Sequence, residues 1–418
     1  MKTTTLFYFV FIFCSIQAQV NWVKHGQNPV LVPSNNLYEQ YIGGPSVIKD
    51  EGVFKMYYAS TGLDKKGRIM MATSTDGVNW DKKAQPVLDV NPVAGSWDGF
   101  FLDCPEVIKD NTGYKMYYFA QPGDDPLQSA IGLATSTDGI NWVRHPSNPV
   151  LVSGENPDDI DYYYIESPAV TYMDGKYYMS YTAVDALYLT RTALAFSDDG
   201  INWQKHSDNP IFDIYKDPDA SNLYIWDGGA SRMPTMLSRN EKLEVWYTGI
   251  SVYNRYYLDE TALHIGYAHS PDKGATWIKY NNNPVLSTTS PPFTEFETRG
   301  PVASDVIYDE DDKIYKMWYE TKYGFGMAIG IDEALQSEAY LTDDLQISVY
   351  PNPVEGAFFI NLNNSLTDYN IRITDIYGNI LLREKNKNYI DISGYESGVY
   401  IVTIETGSKE TSVKIIKK

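Results

Sequence analysis

Ser136-Thr137-Asp138-Gly139-Ile140-Asn141-Trp142-Val143-Arg144-His145, running on to Asn148-Pro149-Val150-Leu151, is the stretch from which the fold can be read. The same turn recurs as Ser74-Thr75-Asp76-Gly77-Val78-Asn79-Trp80, Ser197-Asp198-Asp199-Gly200-Ile201-Asn202-Trp203 and Ser270-Pro271-Asp272-Lys273-Gly274-Ala275-Thr276-Trp277. An Asp-Gly turn lets the backbone reach positive φ between two strands, and its Ser and Asp side chains can bond amides across the loop. Upstream of each turn lie an x-Pro-x step, a Met/Tyr/Trp run such as Met56-Tyr57-Tyr58, and a small apolar strand such as Ile69 to Ala72. Such residues suit pleated, half-buried strands. The five prolines, Pro45, Pro105, Pro168, Pro234 and Pro301, are spaced by 60, 63, 66 and 67 residues. A strand-rich unit repeating at that interval predicts a radially closed β architecture.

The fifth cycle lacks its last strand, because Ile331 runs straight into the polar segment Asp332 to Asp344. The missing piece stands at the other end of the chain. Asn21-Trp22-Val23-Lys24-His25 through Asn28-Pro29-Val30-Leu31 copies Asn141-Trp142-Val143-Arg144-His145 through Asn148-Pro149-Val150-Leu151. The N-terminus is therefore expected to supply the outer strand of the last blade, closing the ring and removing an exposed sheet edge. The expected fold is all-β: a five-bladed β-propeller over residues 21–331, a linker at 332–344 and a small β-sandwich at 345–418.

The 418 residues carry a net charge of −20, with 35 Tyr and nine Trp. Residues 345–418 balance eight Lys and Arg against eight Asp and Glu, so the acidity lies in the propeller. An acidic surface argues against nucleic acid or an anionic membrane as partner, and solubility outside a cell accounts for it without any substrate. Residues 1–20 have a charged start at Lys2, an apolar run Leu6 to Ile16 and a polar exit at Gln17-Ala18-Gln19, which reads as a secretory signal peptide and not a membrane span. Cys14 falls inside that leader, leaving only Cys104 afterwards and no intramolecular disulfide.

Two resemblances follow from these motifs. Tyr350-Pro351-Asn352-Pro353, Gly356-Ala357-Phe358-Phe359-Ile360, Ile373 to Gly378, Ser397 to Val402 and the basic end Lys414-Ile415-Ile416-Lys417-Lys418 together resemble the C-terminal sorting domain of the type IX secretion system. That implies export, secreted or to the cell surface, with the secretion machinery as a partner. Residues 21–331 resemble the five-bladed glycoside hydrolases of families 43 and 32, and the fourth turn is similar to the sialidase Asp-box, a structural hairpin.

Propeller chemistry is expected where the innermost strands converge on the axis. Two residues before each Pro stand Gly43, Asp103, Glu166, Arg232 and Arg299, so a position with strictly patterned neighbours becomes different in each blade. Glu166-Ser167-Pro168 resembles the Glu-Cys-Pro motif of family 32, which implies Glu166 as general acid; Asp103-Cys104-Pro105 resembles the motif whose Asp orients substrate and tunes that acid. Glycoside cleavage needs one carboxyl protonated and another ionised across the bond. The departure is Gly43-Gly44-Pro45 in blade one, where the resemblance would place a nucleophile or base; the nearest acid is Glu39. Glu39 is taken as the second catalytic carboxylate, ahead of Asp98, Asp227 and Glu297; Trp97-Asp98-Gly99, Asp161 and Trp226-Asp227-Gly228 recur at one offset, and that recurrence favours a structural Asp over a catalytic one.

Arg232 and Arg299 either grip an acidic sugar or pair with the nearby acids, and Trp97, Trp226 and Tyr164 either stack on sugar rings or pack the blades. His25, His145 and His206 repeat three residues after the Trp and belong to the scaffold; no Cys or His cluster suggests zinc. No cofactor is expected, an axial calcium being the one compatible ion. The expected activity is a secreted glycoside hydrolase on a polysaccharide or its oligosaccharides. The alternatives are a non-catalytic carbohydrate-binding propeller, favoured by Gly43, a phosphorylase using the two arginines for phosphate, and a sialidase-like enzyme, which needs three arginines that the motifs alone do not assemble.

Overall fold

The computed structural model describes residues 20–417, apart from 124–128, 215–222, 258–262, 289–294, 333–339, 343–344, 351, 353, 355, 363–367 and 408. Residues 1–19 of the stretch 1–20 read as a signal peptide, Cys14 among them, lie outside the described residues. The chain divides into a unit spanning Trp22–Gly330 and a second containing Ile331–Lys418. Among the described residues no helix is long and apolar enough to cross a membrane.

The first unit is a ring of five antiparallel sheets, each ordered from the inside outwards. Blade one is Tyr41–Asp50, Val53–Thr61, Gly67–Ser74 and Asp81–Lys82; blade two is Phe101–Asp110, Gly113–Gln121 and Ala130–Ser136, with both Val143–Arg144 and Leu151–Val152 paired to the outer side of the last. Blade three is Tyr164–Met173, Lys176–Val184, Thr190–Ser197 and Gln204–Lys205; blade four is Ala230–Arg239, Lys242–Ile250, His264–Ser270 and Ile278–Lys279. Blade five joins Val302–Asp309, Ile314–Thr321 and Gly324–Asp332 to the N-terminal strand Val20–Lys24. The ring is thus closed by the first strand, as the copied motif predicts.

The repeated turns are held alike. The Ser136 hydroxyl donates to Asp138 and accepts from the Gly139 amide, while Asp138 accepts the amides of Ile140 and Asn141 at 2.8 Å; the copies at Asp76 and Asp199 do the same. Gly77, Gly139, Gly200 and Gly274 stand at φ 78, 73, 73 and 97°, which is why glycine recurs there. The turns also clip blades together: Tyr57 donates to the Gly139 carbonyl, Tyr117 to Gly200 and the Trp318 indole to Gly77. In the Asn-Pro motifs the Asn amide bonds both ways to the third strand. Asn28 does so across the closure, accepting from the Met327 amide at 2.8 Å and donating to its carbonyl at 3.0 Å. His25, His145 and His206 each accept an amide two residues on, a scaffold role.

A second device recurs in all five blades. A buried acid leading into each inner strand meets a tyrosine of the second strand and a cation of the outermost strand. In blade one Glu39 takes Tyr58 and Lys82, each at 2.7 Å; in blade two Asp98 takes Tyr118 and Arg144. Blade three repeats this with Asp161, Tyr181 and Lys205, and blade four with Asp227, Tyr247 and Lys279. In blade five Glu297 meets Tyr319 and Lys24, the cation arriving on the N-terminal strand at 2.6 Å.

The second unit is a β-sandwich. Tyr340–Thr342, Leu345–Tyr350, Ala357–Leu362 and Tyr389–Asp391 form one sheet; Ile380–Lys385, Asn370–Asp375, Gly398–Thr406 and Lys409–Lys417 form the other. Phe358, Ile360, Ile371, Ile373, Val402, Ile404 and Ile415 fill the space between them. Tyr340–Thr342 falls within the stretch expected to be linker: it pairs with Leu345–Tyr350 and so extends the sandwich by one short strand.

Breaking one of these clasps leaves a buried carboxylate uncompensated. Lys82→Met is expected to lower stability by roughly 2–4 kcal/mol, the lower end reflecting the partial exposure of Lys82, with part recovered by adding Glu39→Gln. Denaturant titration checks this; an unchanged midpoint would remove the clasp as a stabilising element.

Candidate functional site

Each inner strand carries a bulge, in four blades at its x-Pro-x step. The register with the second strand shifts between Gly43 and Ser46, Asp103 and Glu106, Glu166 and Ala169, Arg232 and Thr235, and Val302 and Asp305. In four blades the residue before the proline is in the left-handed region: Gly44, Cys104, Ser167 and Met233 have φ of 54, 44, 52 and 48°. The bulge bends each strand at the funnel mouth and aims the preceding side chain at the axis. Gly44 is needed for a second reason, since a Cβ there would come within 3.1 Å of the Cys104 Cα.

Blade five departs from the sequence alignment. Its bulge lies three residues beyond the one that Pro301 suggests, so Val302, buried and apolar, holds the funnel position and Arg299 stands on the segment before the strand. The charged group of this blade comes instead from the second strand. Glu320 pairs across from Val302, at the level of Ala59, Phe119, Thr182 and Thr248 in the other blades.

Glu320 accounts for the glycine in blade one. A Cβ on Gly43 would lie 2.7 Å from the Glu320 Oε2 atom, and the Gly44 amide donates to that oxygen at 3.0 Å. Blade one has given up its side chain, and a carboxylate from blade five fills the space. Arg299 holds the other oxygen at 2.9 Å. The sequence signal was slight: Tyr319-Glu320 stands where the other aromatic runs continue into Ala, Phe or Thr.

Glu320, Asp103 and Glu166 share one site. Burial, then the negative charges of Glu320 and Glu166, push the Asp103 carboxyl up to about 7. Burial also raises Glu166, opposed by Arg232, whose guanidinium lies 4.0 Å away. Both carboxyls are therefore biased toward the protonated form, as a proton donor near neutral pH must be. Tyr164, two residues before Glu166 on the same strand, is pushed up to about 12 by burial and by the Glu166 charge. Asp103, Glu320, Gly43, Cys104, Met233 and the exposed Tyr41 line a depression of about 190 Å³.

Other sequence candidates are placed elsewhere. Glu39, expected to be the second catalytic carboxylate, is 1% exposed and bonded by Lys82, Tyr58 and the Ser34 amide. Burial alone would raise its pKa, but those bonds outweigh it and hold Glu39 below the usual carboxylate range. Asp98, Asp227 and Glu297, expected to bind substrate, are members of the same set of five clasps and are likewise buried. Glu39 and Glu297 therefore do repeat; the repeat is masked by a lead-in one residue shorter in blade one and by the displaced bulge in blade five. Trp97 and Trp226 pack the blades. Trp97 stacks on Tyr118 at 5.9 Å and fills the space over Gly132, while Trp226 lies on Gly249, Gly266 and Tyr247.

Below the rim, Gly44, Cys104, Glu106, Ser167, Thr235 and Ser304 line a narrow axial channel of about 30 Å³. The carboxyls of Glu106 and Asp305 are occupied by protein donors, Glu106 by the Val170 amide and Asp305 by Thr235 and the amides of Val47 and Val306. Among the described residues no group of three or more His, Cys, Asp or Glu could hold a metal ion.

Asp103 gives the site a pH signature. The folded carboxyl stays protonated to about 7, whereas the unfolded one ionises near 3.8, so its contribution to stability is full below pH 3.8 and is lost as pH rises to 7. Asp103→Asn is expected to flatten this part of the stability profile between pH 4 and 7. Chemical denaturation at several pH values checks it; parallel profiles would mean that Asp103 titrates normally.

The secretion system C-terminal sorting domain family matches residues 348–418, and the beta-1,4-mannooligosaccharide phosphorylase family matches residues 115–222. A beta-1,2-mannobiose phosphorylase of Thermoanaerobacter sp. (strain X514) is 44% identical over 81 residues, covering 19% of this chain and 25% of that protein. A 1,2-beta-oligomannan phosphorylase of the same organism is 30% identical over 189 residues, covering 43% of this chain and 57% of that protein. The chain thus spans a quarter to just over half of the length of these relatives. A thermostable family-43 glycoside hydrolase superposes with a TM-score of 0.54 at 18% identity, covering 80% of this chain and 96% of that one. An alpha-L-arabinofuranosidase from Lactobacillus brevis gives 0.52 at 13% identity, with 72% and 92% covered. The propeller has the fold of carbohydrate-active enzymes of this kind, and the C-terminal sorting domain directs the chain through type IX secretion to the cell surface or the medium.

Proposed function

We propose that the chain is a secreted glycoside hydrolase in which Glu166 protonates the leaving oxygen, Glu320 serves as the second carboxylate, and Asp103 tunes the acid or binds sugar hydroxyls. The observation that carries this reading is the replacement in blade one: the carboxylate absent at Gly43 is supplied by Glu320 from the neighbouring blade, against that glycine. A pair of carboxyls in unlike surroundings is what acid/base cleavage of a glycosidic bond requires. Glu166 is raised by burial, while Glu320 accepts from Arg299 and the Gly44 amide. The binding-module alternative rested on the absence of a second carboxylate at Gly43, and the Glu320 carboxylate beside that glycine supports the enzyme reading instead.

Phosphorolysis is the second reading, favoured by the partial similarity to mannoside phosphorylases. Export favours hydrolysis over it, because a charged sugar phosphate formed outside the cell does not cross a membrane unaided. The two readings differ in the atom that attacks: a water oxygen leaves a free reducing sugar, whereas a phosphate oxygen leaves a sugar phosphate.

Sugar release from a panel of neutral, uronic and sulfated glycans, with and without inorganic phosphate, tests the proposal. Phosphate-independent release of free sugar is expected, with Glu166→Gln lowering kcat by about 10²- to 10⁴-fold. Release only with phosphate, as a sugar phosphate, would replace hydrolysis by phosphorolysis; full activity in Glu166→Gln would remove the acid assignment. Gly43→Ala crowds the Glu320 carboxylate, the free end of a side chain, so kcat/KM is expected to fall between about 10- and 100-fold with little change in melting temperature. Unchanged kinetics in that variant would take Glu320 out of the reaction.

A further inference from the structure

Beside the acidic depression lies a larger cavity of about 420 Å³ between blades three, four and five. Three arginines line it: Arg232 from the inner strand of blade four, Arg255 from the short helix Val252–Tyr257, and Arg299 from the segment leading into blade five. The sequence motifs marked Arg232 and Arg299 but had no means of adding Arg255, which lies in an insertion between the second and third strands of blade four. We infer that this cavity binds an anionic substituent carried by the glycan, a uronate carboxylate or a sulfate ester, next to the scissile bond; this rests on the reading of the adjoining carboxylates as the cleaving site.

Three guanidinium groups around one space in a chain of net charge −20 run against the charge of the whole molecule. Two of them are steered by the site acids, Arg232 toward Glu166 at 4.0 Å and Arg299 onto Glu320 at 2.9 Å. Arg255 is braced by donating to the Gly229 carbonyl at 2.9 Å. Planar, pre-oriented guanidinium forks suit the paired oxygens of a carboxylate or sulfate. The remaining wall is suited to a sugar ring: Ile250, Leu263 and Val302 are apolar, Thr190 and Asn254 are polar, and Tyr188, 63% exposed, stands at the mouth. A space of this size with an apolar wall is far larger than an inorganic anion needs and falls in the range of small-molecule sites. The arginines that reach Glu166 and Glu320 also place the anion within one sugar unit of the cleaved bond.

Binding tests this without requiring turnover. The full chain carrying Glu166→Gln is titrated calorimetrically with oligogalacturonate, oligomannuronate and a sulfated galactan oligosaccharide. Each is paired with its carboxyl-reduced or desulfated counterpart, and inorganic phosphate is run alone. At least one acidic glycan is expected to bind about 10- to 100-fold tighter than its neutral counterpart, the value of one or two charge-assisted bonds. Arg255→Met is expected to bring that ratio close to one and Arg255→Lys to restore part of it, both variants keeping the parent melting temperature. Equal binding within every pair, or a ratio that Arg255→Met leaves intact, would overturn the inference. Saturable phosphate binding lost in Arg255→Met, with no preference among the glycans, would assign the cavity to free phosphate instead. Because binding is read in the inactive variant, a preference for acidic glycans in a chain that cleaves none would defeat the hydrolase reading and leave the anion site standing.

Discussion

The propeller depends on a buried carboxylate clasped by a tyrosine and a cation, repeated once in every blade. Glu39, Asp98, Asp161, Asp227 and Glu297 each tie the segment entering the innermost strand to the second and outermost strands of the same sheet. A charge in that position is tolerable only while its partners stay in place, so the clasp fixes where each inner strand begins. The fifth clasp is the informative one. Its cation is Lys24, so the bond that orders blade five also fastens the N-terminal strand, and ring closure is tied to the geometry of the funnel.

With the scaffold acids committed, the funnel acids are free to differ. Asp103, Glu166 and Glu320 occupy comparable heights in three blades, yet they arrive by two routes: the first two from inner strands at the bulge, the third from a second strand across from Val302. Gly43 and Glu320 are a matched pair, because the carboxylate fits only where the side chain of the neighbouring blade is absent. The arginines act in the same way. Arg232 and Arg299 each pair with a site carboxyl and also line the larger cavity, so the proposed cleaving site and the proposed anion site would share the same charged groups.

The sequence was legible where a residue does the same job in successive blades at a constant spacing. The Asp-Gly turns and the Asn-Pro bonds, each present in four blades, and the copied N-terminal strand specify local hydrogen bonds, so pattern and structure agree. It was least legible where spacing varies. Counted from the prolines, the acids of blades one and five stand at offsets unlike the other three; Glu297 recovers the common five-residue offset only when it is counted from Val302, and shared partners show that both it and Glu39 are scaffold. In blade five Pro301 imitates the repeated step while the bulge lies three residues further on, which moves Arg299 off the funnel ring and hides Glu320 in what reads as an ordinary aromatic run.

By itself the sequence determined the architecture, the closure of the ring and the C-terminal sandwich domain, and it marked Glu166 and Asp103 as residues at the mouth of the funnel. These follow from contacts close in sequence or repeated along it. Tertiary structure decided which further carboxylate faces the site, which aromatic rings pack and which stand exposed, and that a third arginine joins the other two. Those outcomes depend on side chains from different blades meeting across the axis, at distances set by ring closure and not by spacing along the chain.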